Sequence, residues 1–436
     1  MPEGVRATVV GAGLAGSEAT LRLARAGIGV DLFEMRPGKS TEAHRTERFA
    51  ELVCSNSLGS EEVVSGKGLL KEELRLLGSA LIPIAEAARV PAGKALAVDR
   101  ERFAQGVTEA VRSAPGVRVF EEEVTGIPDA PLVVLACGPL APEPIVSAIR
   151  ELLGDAGFYF YDAISPIVDA ASIAPGAGYV ADRYGAGTGD YLNLPMDREQ
   201  YARFLDALLS AKTVPLRDFE EARYFEGCMP VEEIARRGPE TLLFGPLRPV
   251  GLRDPRTGRI PHAVLQLRKE NAQGSMFNLV GFQTRMTYPE QKRVFSLVPG
   301  MEDAEFLRYG SVHRNGFLDA RRCLTPCMEL RGRPGLFFAG QITGVEGYVE
   351  SIASGLVAGA SAVARALGRE PRPFPPESMV GALMAHVTAP GEGDPQPMNA
   401  NFGLLPEVAV RGKKDRKGRK AEIALDAVRK VAPSLP

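Results

Sequence analysis

The hydrophobic pattern of residues 7–37 changes period twice. "ATVV" (7–10) is a short apolar run of strand character. Ala15, Ala19, Leu21, Leu23 and Ala24 then recur at helical spacing, and "GVDLFE" (29–34) returns to strand character and ends in Glu34. Two later segments carry the same signature. "APLVVLACGPL" (130–140) reads as a buried strand ending in Gly138. "RPGLFFAGQITGVEGYVESIASGLVAGASAVARALG" (333–368) reads as a strand, a glycine turn and a helix of small residues, among them Ala353, Gly355, Ala358, Gly359 and Ala360. Between them, "FYFYDAISPIV" (158–168) and "MFNLVGFQTRMTYPEQKRVF" (276–295) have aromatic, β-like character. "GREPRPFPPESM" (368–379) reads as a proline-rich linker before a last helical segment.

The turn between the first strand and helix gives this pattern a chemistry. Gly11, Gly13 and Gly16 form G-x-G-x-x-G, with Ala12, Leu14 and Ala15 between them. In such a turn the first glycine permits the bend, the second lets backbone approach a pyrophosphate, and the third allows close helix–strand packing. The helix start offers unpaired N–H groups to phosphate, and Glu34 is placed to accept hydrogen bonds from a ribose. An adenine dinucleotide is therefore expected. The strand "GLFFAG" with its turn and helix resembles the closing motif of glutathione-reductase-like FAD-binding folds. That resemblance implies FAD, held also by Gly138, Gly340, Gln341, Gly347 and Tyr348. An acidic residue commonly follows "AG" in those proteins; here it is Gln341. "GAGTGD" (185–190) lacks the preceding strand and following helix, so no dedicated nicotinamide domain is expected.

The expected fold is α/β: a Rossmann-type FAD-binding domain split by an inserted α+β domain. The expected parts are residues 1–157, an insertion at 158–317, and a C-terminal return at 318–436. A length of 436 residues agrees with more than one domain. No run of 18 apolar residues occurs, so no membrane span is expected. The N-terminus enters a strand at once, unlike a signal peptide, and five cysteines fit a reducing cytoplasm better than a disulfide framework. "RGKKDRKGRK" (411–420) has seven basic residues and one acidic; its six net positive charges leave −8 on the rest of a chain whose total is −2. Lys413, Lys414, Arg416 and Lys417 in this run are candidates to touch a polyanion.

Four histidines stand at no metal-ligand spacing, and Cys323 and Cys327 have no partner pair, so no metal is expected. Cys137, Cys323 and Cys327 fall in apolar or strand-like contexts and are assigned to packing. Cys54 lies in the polar stretch "ELVCSNSLGS" (51–60). Cys228 precedes a proline and the expected helix of "MPVEEIARRG", a position where the dipole lowers a thiol's pKa.

Taken together, "GAGLAGSEA", "CSNSLGS", "YFEGCMPVEE", "VGFQTRMTYPEQ" and "GQITGVEGYVESIASG" closely resemble the bacterial folate- and FAD-dependent tRNA (uracil-5-)-methyltransferases, in order and along the whole chain. The resemblance implies 5-methyluridine formation in the tRNA T-loop, at tRNA position 54. Carbon comes from 5,10-methylenetetrahydrofolate, and NADH or NADPH supplies electrons through FAD. It makes Cys54 and Cys228 the catalytic thiols, with Cys228 favoured as nucleophile by its pre-helix position. His313 and Tyr348 become candidates to stack on the pterin. The tail and Arg236, Arg237, Arg248 and Arg253 are candidates to meet tRNA. The alternatives are a related FAD-dependent wobble-uridine tRNA modification enzyme and a small-molecule flavin oxidoreductase.

Overall fold

The structure is a computed structural model that describes residues 5–41, 43–154, 160–185, 190–214, 229–269, 274–390, 397–409 and 413–434. Five parallel strands form the first sheet, in the order Leu336–Phe338, Val133–Leu135, Arg6–Val10, Gly29–Phe33, Val117–Phe120. The Arg6–Val10 strand pairs with Gly29–Phe33 on one side and with Val133–Leu135 on the other. Successive connections therefore diverge beside it and open a crevice at the carboxyl ends of the strands. The expected split dinucleotide fold is present, because the outer strand Leu336–Phe338 comes from the last quarter of the chain.

Helix Leu14–Arg25 follows the glycine turn and packs against helix Tyr348–Ala366. The second helix is buried continuously from Val349 to Val363, so its small residues have a steric cause. A Cβ on Gly355 would run into the Ala15 carbonyl, and one on Gly359 would meet Ala19 Cα at 3.0 Å. Glycine at these positions lets two helices touch along their backbones.

A six-stranded antiparallel sheet occupies the middle of the chain, in the order Tyr179–Val180, Tyr191–Met196, Ala263–Lys269, Met276–Leu279, Ile167–Asp169, Phe306–Arg308. It has its own apolar core. Phe204, Phe282 and Phe295 meet there edge to face, with ring centroids 6.2 and 5.8 Å apart. Its helix Arg198–Leu209 starts with a capping box between Asp197 and Gln200. A two-stranded antiparallel ladder, Phe160–Ile164 with Ser311–Asn315, lies where the chain passes between the two sheets.

Three sequence expectations change. Only Met276–Leu279 of the stretch 276–295 is strand. Tyr288–Phe295 is a helix, because Pro289 sits in its first turn and Gln291, Val294 and Phe295 bury one face. The proline-rich segment is no loose linker: Phe374 is buried in the main core, and Ser378 caps helix Met379–Thr388, accepting from Gly381 N at 2.9 Å. The basic tail enters helix Lys413–Val431, whose Ala421, Ala424 and Val428 are buried. Lys420 is buried with it and donates to the Leu405 carbonyl (3.0 Å) and Glu407 (2.9 Å). Cys323 ends a short helix and Cys327 lies in a turn, both buried beside bridged residues near the closing motif, in keeping with packing.

Candidate active site

A cleft with about 1060 Å³ of empty space, its open mouth included, lies at the carboxyl ends of the parallel strands. Gly11, Gly13, Leu14 and Ala15 line it on one side; Gly138, Gly340, Gln341 and Tyr348 join them from the other segments. The glycines divide the work as their spacing predicts. Gly11 has φ +97°, and a Cβ there would sit 2.5 Å from the Ala136 carbonyl oxygen. A Cβ on Gly16 would strike the Gly11 carbonyl, whereas one on Gly13 would meet no protein atom within 4 Å. The room that a Gly13 side chain would fill is left to the cleft, at the N-terminus of Leu14–Arg25. An elongated phosphate-bearing ligand fits this cradle.

Glu34 is buried and already partly engaged. One carboxylate oxygen accepts from Ala12 N (2.9 Å); the other accepts from Arg36 Nε (2.8 Å). Burial alone would raise its pKa, but the Arg36 guanidinium outweighs burial and holds it below the usual carboxylate range. The carboxylate stays ionised and keeps lone pairs for a ribose hydroxyl. His44 also borders the cleft, with its Nδ1 2.6 Å from Thr41 Oγ1. Burial and then Arg36 push His44 down to about 4, so it is neutral at pH 7. Arg36 and His44 escaped the sequence reading. Their signal was faint: an arginine two residues past the acid, and a histidine without metal spacing.

Cys54 follows Val53, a cleft-lining residue, and is half-buried. Its segment is held from outside its own neighbourhood. The Tyr348 hydroxyl accepts from Cys54 N (2.8 Å) and Ser55 N (2.9 Å). Arg268, from the inserted sheet, donates to Ser55 Oγ (2.7 Å) and Asn56 Oδ1 (2.8 Å). Lys71 Nζ donates to the carbonyls of Leu58 (2.8 Å), Gly59 (3.0 Å) and Ser60 (2.8 Å). Strand Ser57–Ser60 shifts register against its neighbour, so Lys71 supplies donors where the ladder is irregular. Arg100 donates to the Leu52 carbonyl (2.8 Å). Arg308 has a pKa lowered by burial and by crowding from Arg100 and Arg45, while Cys54 and Tyr348 pull it the other way. Arg100 and Arg308 are thus cationic neighbours of the Cys54 segment. Cys137, by contrast, borders the cleft but is pushed up to about 12 by burial, which keeps it a thiol.

The structure brings Gly11–Gly16, Glu34, Gly138, Gly340, Gln341, Tyr348 and the Cys54 segment together. Tyr348 lines the cleft, but its hydroxyl is committed to the Cys54 segment, a role absent from its sequence context. Cys228 lies outside the described residues. The chain after it is pinned by Glu232, which accepts from Thr284 Oγ1 (2.8 Å) and Arg285 N (2.7 Å) and thus joins two of the quoted motifs. His313 pairs with Asp162 in the two-stranded ladder, and its side chain is outside the described residues, as are those of Lys413 and Lys414. Arg416 is exposed and Lys417 lies 5.5 Å from the Phe402 ring centre.

A parallel sheet with a glycine turn at its carboxyl edge and an inserted antiparallel domain define an α/β fold shared with two solved forms of Aquifex aeolicus GidA. Those chains superpose with TM-scores of 0.70 and 0.71 at 17% and 16% identity, covering 98% of this chain and 73% and 78% of theirs. The family described as Glucose inhibited division protein A matches residues 6–370. Closer likeness comes from proteins named methylenetetrahydrofolate–tRNA-(uracil-5-)-methyltransferase TrmFO. The one from Sulfurihydrogenibium sp. is 51% identical over 98% of this chain and 97% of its own. That of Heliobacterium modesticaldum is 53% identical over 97% and 96%, and that of Enterococcus faecalis 51% over 99% and 99%. The chain belongs to the TrmFO family.

Proposed function

We propose that this protein methylates uridine at C5 in the T-loop of tRNA, at tRNA position 54, taking carbon from 5,10-methylenetetrahydrofolate and electrons from NADH or NADPH by way of FAD. The observation that carries this reading is the clamped Cys54 segment beside a dinucleotide cleft, in a chain at least 51% identical to TrmFO proteins along nearly its whole length.

Uracil C5 is a weak nucleophile. A thiolate that adds to C6 turns the ring into an enolate, which attacks a one-carbon electrophile through C5. A base then removes the C5 proton as the amine that carried the carbon departs, leaving an exocyclic methylene; hydride adds to that carbon, and the thiolate leaves C6. FAD, bound and reduced, supplies the two electrons that separate a formaldehyde-level carbon from a methyl. The Gly11–Gly16 cradle and Glu34 would hold its adenosine half, and Gly340, Gln341 and the start of helix Tyr348–Ala366 its other end. Cys54 and Cys228 share the thiol chemistry, one bonding to C6 and the other moving a proton. Tyr348 and Arg268 fix where Cys54 stands. Arg100 and Arg308 keep its surroundings cationic. Folate stacking falls to Tyr348 and His313, and phosphate contact to the exposed arginines and the Lys413–Val431 helix.

The test is to incubate unmodified tRNA with the protein, NADH or NADPH, and methylene-labelled 5,10-methylenetetrahydrofolate, then map the label. Label at C5 of the T-loop uridine is expected. Label at the wobble uridine, or pyridine-nucleotide oxidation driven by a small substrate without tRNA, overturns the assignment.

A further inference from the structure

The inserted domain carries exposed apolar side chains that this chemistry does not use. Phe244 is 80% exposed, Tyr184 69%, Val180 62% and Val250 47%. Tyr184 is exposed and yet held in place. Its N–H donates to the Gly251 carbonyl (2.9 Å). Its ring lies so close to Gly251 that an added Cβ would come within 2.9 Å of it. Arg248 donates to its hydroxyl (3.4 Å), and Arg183 donates to the Val250 carbonyl (2.9 Å). Residues 236–259 contain six arginines and two acidic residues, on a chain of net charge −2. One of those acids, Asp254, is already paired with Arg256 at 2.8 Å. An apolar patch alone would fit another protein, but a fixed aromatic ring among guanidiniums fits a base and its phosphates.

The patch is mechanically tied to the Cys54 segment. Tyr191 and Asn193 pair with Arg268 and Gln266, and side chains alternate across a strand, so these four share one face of the inserted sheet. Leu194, Met196, Leu265 and Leu267 take the opposite, apolar face. Gln266 accepts from Arg183 (3.0 Å) and donates to Asn193 (2.9 Å). Arg268, about 7 Å further along the strand, holds Ser55 and Asn56. One buried polar face therefore fixes Tyr184 relative to Cys54.

We propose that Tyr184, flanked by Arg183 and Arg248, is a stacking platform for an unpaired base of the RNA substrate, set at a fixed offset from the reacting thiol. The proposal rests on the tRNA reading above. It is tested with full-length, flavin-loaded protein by measuring unmodified tRNA binding against salt, with melting temperature and flavin content as controls. Tyr184→Ala is expected to weaken binding about tenfold, within the range for losing one base–aromatic stack, with an unchanged salt slope. Tyr184→Phe is expected to bind like the wild type, and Arg248→Met to reduce the salt slope by about 1. Wild-type affinity in Tyr184→Ala, or equal losses in the Ala and Phe variants, overturns the platform while leaving the tRNA reading intact. A wild-type protein that binds no tRNA overturns both.

Discussion

The Gly11–Gly16 turn lines the cleft, the Cys54–Ser60 segment follows directly on the lining residue Val53, and the two are built in opposite ways. The turn is largely local: Gly16 is required by the Gly11 carbonyl, Gly11 answers to a distant strand through Ala136, and its acid is 18 residues past Gly16. The Cys54 segment has short side-chain turns at Ser55 and Ser57 and otherwise depends on remote groups. Tyr348, 294 residues away in sequence, holds its first N–H groups, Arg268 its middle and Lys71 its end. A cofactor cradle can be a local motif because backbone N–H groups do the binding. The Cys54 segment instead has its position set by distant side chains.

That contrast can be broken from either end. Gly16→Val should have the largest effect, since its side chain collides with the Gly11 carbonyl. Purified protein should be colourless and inactive. Cys54→Ala should leave the protein yellow and folded but lower methyl transfer at least about a thousandfold, as loss of a residue acting on the reacting atoms does. Yellow protein with near-normal transfer would remove Cys54 from the chemistry. Tyr348→Phe keeps the ring and strips the acceptor from two N–H groups, each worth about 1–3 kcal/mol when left buried and unpaired. Flavin content should hold while single-turnover transfer falls about tenfold to a hundredfold, in keeping with small misplacements in active sites. An unchanged rate would show that the segment stands without this clamp.

The smallest effect concerns pH. Burial pulls Lys71 from its ordinary 10.5 down to about 7. Between those values the unfolded chain binds a proton that the folded chain has released, so this residue makes stability rise with pH over that window. The melting temperature of the wild type, relative to Lys71→Met, should therefore climb from pH 7 to 10. A flat difference would mean that Lys71 keeps its proton in the fold.

What the sequence showed follows the same division. The glycine turn, Glu34 and the closing strand–turn–helix were legible because spacing along the chain is their mechanism. The β-like reading of 276–295 failed after Leu279, where Pro289 and the i, i+3 burial of Gln291 and Val294 start a helix. The run 411–420 was read only as a candidate polyanion contact, and the burial of Lys420 was missed because its carbonyl acceptors lie in the Phe402–Leu405 turn, outside that run. Cys137 was assigned to packing, and burial does keep it protonated, but it also borders the cleft. The clamp on Cys54 left no trace, since nothing near "CSNSLG" announces a tyrosine hydroxyl from the other end of the chain.

The Tyr348 hydroxyl also imposes an order on biosynthesis. Ribosomes add roughly 5–20 residues per second, so about 15–60 seconds separate the synthesis of Cys54 from that of the group that positions it. The nucleotide cradle's first strand, turn and helix are made early, yet the outer strand Leu336–Phe338 and Tyr348 come near the end. A nascent chain thus carries an unseated Cys54 segment for most of its translation, and the segment is clamped only when the last quarter folds back onto the first.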